Sequence, residues 1–184
     1  MLTLIPAQQG KPLMALLPPV AHFQSLEPIL TNNDVLRSLR YTLDLSEPAM
    51  VEIFQLGGFQ LPREAVAAVL KKEDEEGYVE CDDEAMMHFM DGLVIYKRGP
   101  SDHVQEPYHP RKNPLTNNLI LKKLRVAFEL KEDDMHAILA KAEFEVSKPE
   151  LSALFRKPGH KNYRACGDQL LRNFLKGLTL QIRG

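Results

Sequence analysis

From residue 32 onward, apolar residues recur at helical spacing along the chain. Val35, Leu36, Leu39 and Leu43 form one stripe, Met50, Ile53 and Phe54 a second, Val66, Val69 and Leu70 a third, and Met86, Phe89, Met90 and Leu93 a fourth. The same four stripes return 85 residues later: Ile120, Leu121, Leu124 and Phe128; Met135, Ile138 and Leu139; Leu151, Leu154 and Phe155; Leu171, Phe174, Leu175 and Leu178. Residues 32–99 and 117–184 align without a gap, and more than a quarter of the aligned positions are identical. Start signals repeat as well. Thr31-Asn32-Asn33-Asp34 and Thr116-Asn117-Asn118 are runs of N-capping residues, Ser46-Glu47-Pro48 opens a second helix, and Ser147-Lys148-Pro149-Glu150 has the spacing of a capping box before a third. The last helix starts near Asp82-Asp83 in the first copy and Gly167-Asp168 in the second. In the second copy Pro158 disfavours helical geometry at Lys157, so the third helix is expected to stop at Arg156, with Pro158-Gly159 at the centre of a type II turn. Strand alternation is weak throughout. The pattern predicts an all-α fold built from two homologous four-helix repeats in tandem, in a pseudo-two-fold arrangement.

Two stretches fall outside this pattern. Residues 1–30 carry one Lys, one Glu and five prolines, with no sustained period. They read as an unstructured N-terminal tail, or as an over-called start with the natural chain beginning near Thr31; they fit a signal peptide poorly, lacking a positive n-region. Residues 100–116 hold four prolines and read as an extended linker. The division expected is therefore tail 1–30, first repeat 31–99, linker 100–116 and second repeat 117–184.

Charge separates two copies that hydrophobicity makes alike. The net charge of −2 hides 7 Lys+Arg against 14 Asp+Glu in residues 32–99 (−7), and 13 against 8 in residues 117–184 (+5). Hydrophobic content of 44% and charged content of 26% are those of a globular chain. No apolar run reaches the ~18 residues of a membrane span. Cys81 and Cys166 occupy equivalent places and read as buried thiols used twice in one packing role; one bridge in a chain of this size is no disulfide framework. There is no C-x-x-C, and the six histidines have no ligand spacing, so neither a metal nor a cofactor is implied.

The openings Asn32-Asn33-Asp34-Val35-Leu36-Arg37 and Asn117-Asn118, the segment Lys71-Lys72-Glu73-Asp74-Glu75-Glu76-Gly77-Tyr78, the stretch from Leu154 to Tyr163, and Cys166-Gly167-Asp168-Gln169 through Asn173-Phe174-Leu175-Lys176-Gly177-Leu178 carry a resemblance. Together they resemble the bacterial YehS-like family, built from two copies of a domain of unknown function. The resemblance covers residues 31–184. It implies a cytoplasmic bacterial protein of tandem architecture, and it brings no catalytic residues to carry over. Members typically start at the counterpart of Thr31, so the first thirty residues are the departure.

Three functional readings compete. A nucleophile built from Cys166 with His160, Tyr163 and Asp168 fails on the repeat, since Cys81, Tyr78 and Asp83 recur with Glu75 where His160 stands; no P-loop, dinucleotide fingerprint or nucleophile elbow is present either, and no enzyme is expected. A nucleic-acid binding accessory protein, for RNA or DNA, is the reading preferred. Arg156, Lys157, His160, Lys161 and Arg164 surround the Pro-Gly turn, Arg172 and Lys176 follow on the last helix, and Lys122, Lys123 and Arg125 add charge on the first. Tyr163 could offer a stacking surface, but Tyr78 at the same place in the acidic copy marks it as core. The alternative is a protein-interaction module or homodimer. Glu73, Asp74, Glu75, Glu76, Glu80, Asp82, Asp83 and Glu84 complement the basic repeat of the same or another chain, and Met87, expected to face outward, marks a contact.

Overall fold

The computed structural model describes residues 29–100 and 114–184, so the tail and linker expectations lie mostly outside the described residues. Among the described residues there are eight helices and no strand: α1 (Asn32–Leu43), α2 (Glu47–Leu56), α3 (Arg63–Val69), α4 (Asp83–Arg98), α5 (Asn117–Ala127), α6 (Glu132–Lys141), α7 (Lys148–Leu154) and α8 (Asp168–Arg183). Each copy supplies four. The starts follow the chemistry of the chain. Thr31 and Thr116 cap α1 and α5, Ser46 caps α2, Asp82 caps α4, and Ser147 with Glu150 closes a capping box on α7. Helix α7 ends at Leu154, two residues before the expected Arg156. Its last carbonyls are already engaged, that of Leu154 by Asn118 Nδ2 and that of Ala153 by the Arg164 N–H.

Within each repeat the dominant contact crosses the second helix over the fourth, α2 on α4 and α6 on α8. Glycine permits the approach. A Cβ on Gly92 would fall 1.7 Å from the Ile53 carbonyl oxygen, and one on Gly177 1.9 Å from that of Ile138. The four predicted stripes of each copy line this interior; most of their residues are fully buried, while Leu43, Phe128 and Phe155 pack partly buried against the same core. Cys81 and Cys166 are buried free thiols. One continuous apolar core runs through both repeats.

The first helix of each repeat contributes mainly to the other repeat. Helix α1 packs on α8, and α5 on α4, far more than either does on the fourth helix of its own copy. These pairs run parallel. The Leu30 N–H at the start of α1 donates to Asp168 Oδ2 at the start of α8 (3.0 Å), while near their other ends Thr42 and Thr179 share a hydrogen bond (2.6 Å) and Arg183 donates to the Tyr41 carbonyl (2.7 Å). The pseudo-two-fold mate obeys the same rule: Arg98 donates to the Val126 carbonyl and pairs with Glu129, as Arg183 does with Tyr41 and Asp44. Within repeats, Asn32 Nδ2 reaches Asp83 and Asn117 Nδ2 reaches Asp168, tying the remaining starts together. The N-termini of α1, α4, α5 and α8 therefore lie at one end of the molecule.

Met87 is buried, at 5% exposure, rather than outward. It stands on the stripe of α4 with Asp91, Val94 and Arg98, and Asp91 and Arg98 both contact α5. The second repeat covers this face, which a reading of one repeat in isolation treats as solvent.

Candidate polyanion interface

The segment between the third and fourth helices of each copy is organised by one asparagine from the first helix. Asn33, fully buried, donates through Nδ2 to the carbonyls of Val69 (2.8 Å) and Val79 (2.9 Å). Its Oδ1 accepts from the Tyr78 hydroxyl (3.2 Å) and the Cys81 N–H (3.0 Å). Asn118 repeats this set with Leu154, Arg164, Tyr163 and Cys166. Every donor and acceptor of the amide is used, so both ends of the loop are pinned to the start of a helix. Sequence reasoning took these asparagines for capping residues; the sign of their role is the joint recurrence of Asn, Tyr and Cys in both copies.

Between the pinned ends the second-repeat loop makes two successive turns. His160 N–H donates to the Lys157 carbonyl (3.1 Å) across Pro158 and Gly159, with Gly159 at φ +86°, the type II geometry expected. Tyr163 N–H then donates to the His160 carbonyl (2.8 Å). Arg156, Lys157, His160 and Lys161 are exposed, and among the described residues the three Arg and Lys side chains enter no ion pair. Arg164, also exposed, is held by Glu150, whose carboxyl is pushed down to about 2 by hydrogen bonds from Ser147 and then by Arg164. Tyr163 is half-buried with its hydroxyl on Asn118.

Arg172 and Lys176 are placed differently. They share the stripe of α8 that carries Thr179 and Arg183 onto α1, and Arg172 is half-buried. Of the cations on α5, Lys123 pairs with Asp91 of α4 and Arg125 lies 4.7 Å from the centroid of the Phe155 ring, while Lys122 is exposed. The equivalent loop of the first repeat keeps the same frame with opposite charge, and Lys71 Nζ donates to the Glu76 carbonyl (2.6 Å).

The nucleophile arrangement does not form. Burial first, then nearby carboxylates, push the Cys166 and Cys81 thiols up to about 12, leaving essentially no thiolate at neutral pH. His160 instead accepts the Asn162 N–H through Nδ1 (3.1 Å). Among the described residues no cluster of His, Cys, Asp and Glu has the form of a metal site, and no helix is long and apolar enough to cross a membrane.

An all-helical tandem of this kind, with paired asparagine-braced loops at one end, defines the class of the protein. Residues 32–99 and 117–184 each match the family described as "Protein of unknown function (DUF1456)", and the chain belongs to that family. Its similarity to "Uncharacterized protein YehS" of Escherichia coli (strain K12) is 46% identity over 150 residues, covering 82% of this chain and 95% of that protein. No solved structure matches. The family's description assigns no catalytic activity.

Proposed function

We propose that the protein binds nucleic acid, RNA or DNA, through the basic loop of the second repeat, as a non-catalytic accessory protein. The observation that carries this reading is the charge of Arg156, Lys157 and Lys161: they are exposed, without an ion pair among the described residues, and mounted on a loop pinned by Asn118. Phosphates can be met there by side chains already in place. Contacts of this kind position a backbone without reading bases, so little sequence preference is expected. Arg164 contributes only as far as it leaves Glu150, His160 lies exposed on the same loop, and Arg172 and Lys176 form a separate group beside α1.

The test is fluorescence anisotropy with labelled single-stranded RNA and DNA of mixed sequence across a salt series. Wild type should show log K falling linearly with log salt. Replacing Arg156, Lys157 and Lys161 together by Gln should lower affinity on every sequence and reduce the slope by roughly 2, at ~0.7 per phosphate neutralised on a single strand. Equal affinity and slope for the triple variant would end the proposal.

A further inference from the structure

We infer that a second copy of this chain docks end to end on the face that carries the two loops, acidic loop against basic loop at two places, in a reversible dimer that covers Arg156, Lys157 and Lys161. The inference goes beyond nucleic-acid binding and does not depend on it.

The first support is geometric. Helices α1 and α8 run parallel, as do α4 and α5, and all four start at one end. Each loop is pinned to one of these starts, by Asn33 in one repeat and by Asn118 in the other. The axis that exchanges the repeats runs along the parallel helices, so it leaves both loops on the same end face, one on either side of it. The two opposite charges are thus neighbours on one surface.

The second support is charge. Residues 71–84 carry Lys71 and Lys72 against Glu73, Asp74, Glu75, Glu76, Glu80, Asp82, Asp83 and Glu84, a net −6. Residues 156–169 carry Arg156, Lys157, Lys161 and Arg164 against Asp168, a net +3. Among the described residues no ion pair joins one loop to the other, and the repeats are held together elsewhere, by Lys123 with Asp91, Arg98 with Glu129 and Arg183 with Asp44. Apart from Arg164, which Glu150 holds, the loop charges meet no opposite charge in an ion pair among the described residues.

Symmetry supplies the occupant. A second copy turned over by a two-fold perpendicular both to the pseudo-axis and to the line joining the loops sets its acidic loop over the first copy's basic loop, and the reverse contact forms at once. Such an isologous contact closes at two chains. Both loops are braced before docking, so little ordering is required.

The experiment is sedimentation velocity on the full chain, free of nucleic acid, from ~0.01 M to ~1 M salt, over which the screening length falls from ~30 Å to ~3 Å. Wild type should approach twice the chain mass at low salt and return to the single chain at high salt. Two charge reversals decide the interface. Glu73→Lys with Asp74→Lys, Glu75→Lys and Glu76→Lys makes both loops basic; Arg156→Glu with Lys157→Glu and Lys161→Glu makes both acidic. Each alone should stay at the single-chain mass at low salt, with the helical signal of wild type, and a mixture of the two should restore the doubled mass. A wild type that is a single chain at low salt, a reversal that still dimerises alone, or a mixture of two helical variants that fails to associate would each overturn the inference. Because no nucleic acid is present, that failure leaves the binding proposal standing, and failure of the anisotropy test leaves this one.

Discussion

Replacing Asn33 by Ala should be among the most damaging single changes available in the chain, and its cost can be built from the four bonds it breaks. Two of the partners, the Val69 carbonyl and the Cys81 N–H, meet Asn33 in buried bonds; the other two, the Val79 carbonyl and the Tyr78 hydroxyl, are partly buried. With ~1–3 kcal/mol for each buried group left without a partner and ~1 kcal/mol or less for each group that water can reach, the expected loss is roughly 2–8 kcal/mol, about 5 at the middle of both ranges. Measured against a total stability of ~5–15 kcal/mol, that is a large share. Asn118→Ala should cost less, roughly 2–3 kcal/mol, because its bond to the Arg164 carbonyl is exposed and its others only partly buried. Tyr78→Phe removes one partly buried bond and should cost ~0.5–1.5 kcal/mol. Urea denaturation followed by far-ultraviolet circular dichroism, with an unchanged m-value, gives all three. If Asn33→Ala falls within ~1 kcal/mol of wild type, the four-bond account fails; if Asn118→Ala is the worse of the pair, the ranking by burial does.

Gly92→Ala should destabilise by ~1–3 kcal/mol or more, since its Cβ would meet the Ile53 carbonyl at 1.7 Å and force α2 from α4; a neutral melting curve would refute so close a crossing. The Glu150 carboxyl should titrate near 2 in the folded chain, against an ordinary value of 4.5. A depressed carboxylate stabilises above its unfolded value and loses that contribution as pH falls through the folded one, so Glu150→Gln should remove a component of acid sensitivity between about 4.5 and about 2. A carbon-13 titration of Glu150 with its midpoint near 4.5 would contradict this. Cys81 and Cys166 should both react slowly with a thiol reagent in the folded chain and quickly in denaturant; fast labelling of Cys166 alone in the native state would reopen nucleophilic chemistry.

Much of the local structure was determined by the sequence itself. Helical spacing fixes which side chains can share a face, so Met86, Phe89, Met90 and Leu93 had to point one way whatever they packed against. Capping and turn chemistry act over three or four residues, which is why Ser147 with Glu150 and Pro158 with Gly159 behave as their types require. The sharing of the core was not legible. Apolar stripes carry no address, and nothing local tells α1 to lie on α8 of the other repeat instead of α4 of its own. From that one tertiary choice follow the burial of Met87, the position of Arg172 and Lys176 on the stripe that meets α1, and the parallel starts that bring both loops to one end. Asn33 shows the same division in a single residue. The chain alone placed it at a helix start, but only the fold brought the Val69 carbonyl, Val79 carbonyl, Tyr78 hydroxyl and Cys81 N–H within reach, because those partners lie 36 to 48 residues away and meet it only once the helices have packed.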